Sequence, residues 1–166
     1  MTREKGIRAM TTMPSTAAPA GGFKWMYFSL QGRATRSNWW IWGMVGLIIA
    51  NIVLGTIAYF IDAMLGLQFG ILPIGPITIL ASVVLIYPGI CVSGKRWHDR
   101  NKSAWWILLV YGPMILQYVF MAIAPDVASI ISIIFLIGAI WTLVECGFLR
   151  GTAGDNRYGP DPLGGR

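Results

Sequence analysis

His98 and Asp99 are the neighbours in this chain whose types come nearest to a reaction, because an imidazole beside a carboxylate can serve as a general base and its orienting partner. His98 is the only histidine. Arginines stand around the pair in short runs: Arg33 and Arg36 in Gly-Arg-Ala-Thr-Arg-Ser, Arg96 and Arg100 in Lys-Arg-Trp-His-Asp-Arg, and Arg157 in Asn-Arg-Tyr-Gly-Pro. A planar guanidinium grips phosphate oxygens two at a time, so Arg33, Arg36, Arg96 and Arg157 are expected to suit a lipid phosphate. Gly151 and Gly154 would let the backbone approach such an anion closely. With His98, Asp99 and Tyr158 these arginines form the candidate anion- or lipid-binding set. The same residues carry a structural reading, in which Arg–Asp pairs and turns close the ends of helices and the Tyr158 ring packs on Pro160. On either reading Asp99 has a choice between orienting His98 and pairing with an arginine.

A second group of polar residues lies within apolar runs. Glu145 stands five residues before Arg150, roughly 7.5 Å along a helix that rises about 1.5 Å per residue. Lys95, Arg96 and Arg150 are its expected partners. An ionisable group inside a membrane span reads by default as an ion or proton site; a structural pair locking the last span to the middle loop is the alternative. Asn51 and Gln117 fall near mid-span, where hydrogen bonds between helices act as packing glue. A channel or transporter path is the competing reading, but a transport core calls for several ionisable groups at the midplane, and none stands there. No Gly-x-Ser-x-Gly elbow, phosphate loop, His-Glu-x-x-His or Cys-x-x-Cys occurs. Cys91, His98, Glu145 and Cys146 follow no metal-ligand spacing. No catalytic residue, metal or cofactor is therefore expected, and both cysteines read as small buried hydrophobes.

The elements that must position these residues are transmembrane helices. Charged residues make up 12% of the 166 and hydrophobic ones 55%, against about 25% charged in soluble proteins; mean hydropathy is +0.62. Crossing a hydrocarbon core of about 30 Å takes about 20 apolar residues in a helix. Four segments qualify, at about 39–61, 71–93, 104–124 and 127–149, and only the last holds a charge, Glu145. Ser37 and Ser103 are expected to cap the first and third spans. Pro125 and Asp126 are expected to join the third and fourth in a tight antiparallel hairpin. Pro73, Pro76, Pro88 and Pro113 are expected to bend the second and third. Gly43, Gly46, Gly138 and Ala139 allow close helix approach, within the chain or to another copy.

All 13 Lys and Arg residues fall in the N-terminal segment, the middle loop or the C-terminal tail, while the two opposite loops carry only Asp62 and Asp126. By the positive-inside rule the basic side is cytoplasmic, with both termini inside. The net charge of +6 then suits an anionic leaflet and calls for no nucleic acid. Tryptophans, tyrosines and phenylalanines gather near the same boundary, as amphipathic rings do at headgroup level. The segment 23–30 reads as a short interfacial stretch on the inner leaflet, or as a loop touching the first helix. Residues 1–22 read as a disordered leader ahead of a four-span membrane domain at 23–164, with Met10 or Met13 as alternative starts. The expected fold is all-α, an integral membrane four-helix bundle with cytoplasmic loops.

Three ordered runs carry a resemblance. Gly-Arg-x-x-Arg before a tryptophan, Lys-Arg-Trp-His-Asp before Ser-x-Trp-Trp, and Asn-Arg-Tyr-Gly-Pro-Asp-Pro near the end resemble the bacterial inner-membrane family catalogued as domain of unknown function eight-hundred-five. The likeness covers roughly residues 23–164. Lys95, Trp97 and Ala104 stand where the family pattern leads one to expect Arg, Leu and Gly. The resemblance implies a small multi-pass protein of the bacterial inner (plasma) membrane and assigns no activity. The functional expectation is a non-enzymatic membrane protein acting through interaction, with anionic phospholipid, another membrane protein or its own copy as partner. A small oligomeric channel or transporter and a membrane enzyme acting on a lipid-linked phosphate are the alternatives.

Overall fold

The computed structural model describes residues 22–69 and 74–164. Apart from Gly22, the expected leader lies outside the described residues, as do Pro73 and the expected start of the second span at residue 71. Five helices make up the described chain, with no strand among the described residues. A short helix α1 (Phe23–Phe28) leads into α2 (Arg36–Met64), then α3 (Pro76–Asp99). A single 3-10 turn, Ala104–Ile107, opens α4 (Leu108–Ile123), and α5 (Pro125–Phe148) follows after Ala124 alone. With the 3-10 turn counted into α4, α2 to α5 are each long and apolar enough to cross a membrane.

Local chemistry sets the helix ends, and several differ from expectation. Thr35, not Ser37, caps α2, its hydroxyl accepting from the Asn38 N–H at 3.2 Å; Ser37 already lies within the first turn. Ser103 does cap the turn before α4, accepting from Trp105 N–H. The second span was expected at 71–93, but α3 starts later and runs six residues further, to Asp99. Pro76 does not bend it: it occupies the first turn, where a missing N–H costs nothing. Buried Asp62 fixes that start, accepting from Ile77 N–H at 3.1 Å and from Thr78 N–H and Thr78 Oγ1–H at 2.8 Å each. Pro125 likewise sits in the first turn of α5, so the α4–α5 connection is shorter than the expected Pro125–Asp126 link.

Packing pairs α2 with α3 and α4 with α5 as two antiparallel hairpins. Small residues make the contacts close within this chain: a side chain at Gly43 would press on Val92, and one at Gly138 would overlap the Leu109 carbonyl. The two hairpins meet mainly at the end that carries the basic residues. There the core gathers Met26, Tyr27, Trp39, Val92, Trp97, Ile107 and Cys146. Every buried residue of α3 lies from Pro88 onward. Elsewhere the helices present Ile, Leu and Val outward, as at Ile52, Leu80 and Ile137, a surface that hydrocarbon rather than water solvates.

Candidate functional site

A helix leaves its last four carbonyls without intrahelical donors, and at the basic end of α5 side chains from other elements take them in turn. Cys146 O accepts from Arg96 Nε at 2.6 Å. Gly147 O accepts from Trp40 Nε1 at 3.1 Å and Phe148 O from Arg36 Nη1 at 2.9 Å. Leu149 O accepts from Arg96 Nη2, and Arg150 O from Arg100 Nη1 at 2.7 Å. Five consecutive carbonyls are thus met, four of them by guanidinium groups, whose charge also suits the negative end of the helix dipole. Leu143–Phe148 and Trp39–Gly46, one on each side of the Trp40–Gly147 bond, are both wound as π-helix. Such wide turns alter which carbonyls face outward.

The end of α3 is closed by the C-terminal tail. Thr152 donates to Asp99 O through its N–H at 2.8 Å and its hydroxyl at 3.0 Å, and Asn156 Nδ2 donates to His98 O at 2.9 Å. Arg33 holds the tail in place from the other side. Its Nη1 donates to Gly154 O at 2.7 Å and its Nη2 to Thr152 O at 2.6 Å, while Nε donates to Asp99 Oδ1 at 3.1 Å. The other carboxylate oxygen, Asp99 Oδ2, pairs with Arg96. Asp99, Arg33 and Arg96 are all buried. Gly151 is required beside them, because a Cβ there would overlap the Asp99 carboxylate.

Lys95 is fully buried as well and spends its three donors on three carbonyls, those of Trp25 at 2.9 Å, Met26 at 2.8 Å and Ser29. It thereby fastens α1 to α3, with its ammonium 4.9 Å from the Trp25 ring centroid. The segment 23–30 is therefore a docked helix: Met26 and Tyr27 turn into the protein and Phe23 and Phe28 outward. The Tyr27 hydroxyl donates to Trp42 O at 2.9 Å, and burial pushes its pKa up from the ordinary tyrosine value.

Other sequence-based expectations need correcting. Glu145 pairs with Arg100 at 3.0 Å and Lys102 at 2.8 Å, not with Lys95, Arg96 or Arg150; because α3 runs on to Asp99, Lys95 and Arg96 are already turned to other acceptors. Asp99 takes two arginines and does not orient His98. The His98 ring instead sits 3.3 Å from Gly32 O through Nδ1 and stacks on Tyr158, with centroids 3.9 Å apart and planes 7° from parallel. Tyr158 thus packs on His98. Arg157 is exposed, donates to Asn101 O at 3.1 Å and lies over the Tyr158 ring. Asn51 is exposed and Gln117 half-buried, and neither side chain hydrogen-bonds among the described residues. The structure therefore brings Arg33, Arg36, Arg96, His98, Asp99, Arg157 and Tyr158 to one end and leaves Asn51 and Gln117 apart. No group of three metal-ligating side chains occurs among the described residues.

Trp40, Thr152 and Asn156 are working residues left out of the candidate set, while Lys95, expected at Glu145, holds α1 instead and Asp62, expected only as a loop acid, caps α3. Lys95 alone left a signal, as the one lysine opening a run that continues the helix. A hollow beside Arg36, Asp99 and Gly151 holds only about 20 Å³, room for about one water.

Four apolar helices tied at one end by buried arginines define a small, all-helical, multi-pass membrane protein. The chain belongs to the family described as protein of unknown function (DUF805), whose model matches residues 27–160. It is similar to the inner membrane protein YhaH of Escherichia coli (strain K12), 31% identical over 140 residues, covering 82% of this chain and 88% of the relative. The uncharacterized protein YiiR of the same strain is 30% identical over 141 residues, covering 83% and 88%. The inner membrane protein YhaI is 26% identical over 136 residues, covering 82% and 87%. No solved structure matches.

Proposed function

We propose that this is a non-enzymatic protein of the bacterial inner membrane, that both its termini face the cytoplasm, and that it works by interaction at the inner leaflet. The observation that carries this reading is the use of the polar cluster within the fold: the carbonyls of Cys146, Phe148, Leu149 and Arg150 and both oxygens of Asp99 accept from Arg33, Arg36, Arg96 and Arg100. His98 lacks the carboxylate that would orient it, and the hollow beside Asp99 is too small for a substrate. That all 13 Lys and Arg fall in the N-terminal segment, the middle loop or the C-terminal tail of the sequence supports the orientation.

At the edge of the cluster Lys24, Arg157 and Arg36, which gives only its Nη1 to Phe148 O, stay exposed, as do the rings of Phe23, Trp105 and Phe148, and form a rim. Cations beside half-wet rings suit anionic headgroups, each charge adding about 1 kcal/mol near an anionic surface. The partner of this rim is anionic phospholipid. Native mass spectrometry tests it, comparing wild type with Lys24→Ala/Arg36→Ala/Arg157→Ala. Wild type is expected to retain phosphatidylglycerol over phosphatidylcholine, and the triple variant to lose that preference. A wild type without preference, or a variant that keeps it, would count against the rim.

A further inference from the structure

Just inside the basic end, between the two hairpins, lies an apolar cavity of about 340 Å³. Ser93 and Trp97 of α3, Tyr111 of α4 and Thr142 of α5 contribute its polar groups, and no Asp, Glu, Lys or Arg lines it. The Trp97 side chain is fully buried, yet its indole N–H has no hydrogen-bond partner, and the buried Thr142 hydroxyl has none either. Among the described residues the Ser93 and Tyr111 hydroxyls also make no hydrogen bond. A buried donor left unmet keeps its full desolvation penalty, and the hydrocarbon of a bilayer supplies no water to meet it.

Two buried donors without partners, on residues that line an uncharged apolar cavity, describe a complementary molecule. It is neutral where it enters, mostly hydrocarbon, and carries a carbonyl that accepts from Trp97 Nε1. We propose that the cavity binds a diacyl phospholipid, one acyl chain filling the space and an ester carbonyl accepting from Trp97 Nε1 and Thr142 Oγ1. Depth favours this occupant. Trp97 lies two residues before the end of α3 at Asp99, about 3 Å along the axis, which the proposed topology sets at the inner boundary, the level of ester carbonyls. The volume falls at the lower end of the roughly 300–1,000 Å³ common for small-molecule sites. Because the hairpins make few contacts beyond the basic end, a chain can enter sideways from the bilayer. The site differs from the exposed rim in being indifferent to headgroup charge.

Native mass spectrometry of delipidated protein titrated with phosphatidylcholine tests the proposal. Wild type is expected to bind one molecule tightly. Ala139→Leu, which fills the cavity, abolishes that adduct. Trp97→Phe/Thr142→Val removes two hydrogen bonds and weakens it about tenfold. Lys24→Ala/Arg157→Ala, two rim changes away from the helix caps, leaves it intact, so failure here and failure of the rim are told apart. Should the tryptophan variant fail to elute as a single species, Thr142→Val alone and Ala139→Leu carry the test. Equal phosphatidylcholine binding by wild type and Ala139→Leu overturns the site. Binding of an isoprenoid quinone in place of phosphatidylcholine overturns the choice of occupant.

Discussion

Asp99 is the residue on which the basic end turns, because two buried guanidinium groups share one carboxylate. Removing one partner from a buried ionic group leaves charge uncompensated, at about 3–5 kcal/mol. Asp99→Asn is therefore expected to lower stability by that order, seen as a large drop in the unfolding midpoint in detergent. Arg157→Ala loses one exposed bond to Asn101 O and is expected to stay within about 0.5 kcal/mol of wild type in the same assay. The sequence placed Asp99 beside His98 and so suggested a base and its orienter. Adjacent helical residues point about 100° apart, however, and nothing in the order of letters told which neighbour each would meet. Glu145 shows the same limit: closeness in sequence favoured Arg150, whereas the chain path brought Arg100 and Lys102.

At the scale of elements, the spans themselves were legible because hydropathy over some twenty residues is a strong signal. Their ends were not. Reading α3 as stopping near residue 93 treats the first charge as the end of the helix, yet Lys95 and Arg96 continue it because partners inside the fold meet them. Lys95→Met would remove the three hydrogen bonds that Lys95 makes to the carbonyls of Trp25, Met26 and Ser29. The amides of 23–28 are then expected to exchange with deuterium at least tenfold faster, while those of α5 stay as in wild type. Gly151→Ala sets a methyl against the Asp99 carboxylate and is expected to cost about 1–3 kcal/mol as the tail shifts, read by the same unfolding assay. Neither dependence is visible in the sequence, since the tail meets α3 across some fifty residues.

At the scale of the molecule, two hairpins are joined at one end and separate toward the other. That asymmetry, with every described Lys and Arg on the joined side, makes orientation a direct test of the proposed topology: alkaline phosphatase fused after Arg166 or Asn101 should be inactive, and fused after Leu67 active. The three runs that carried the family likeness were legible as a constellation, and their order around four spans was enough to bring them together. Their use was not legible, because arginines that clamp a phosphate and arginines that cap a helix look alike in sequence. The central claim is that these runs form one structural unit. Hydrogen-exchange mass spectrometry on wild type and Arg33→Lys, a variant that keeps the charge and loses the fork, tests it most directly. The account predicts faster exchange in 32–37, 95–100 and 151–162 together, with the midspan amides unchanged. A rise confined to residues next to position 33, with the other two runs as protected as in wild type, would contradict it.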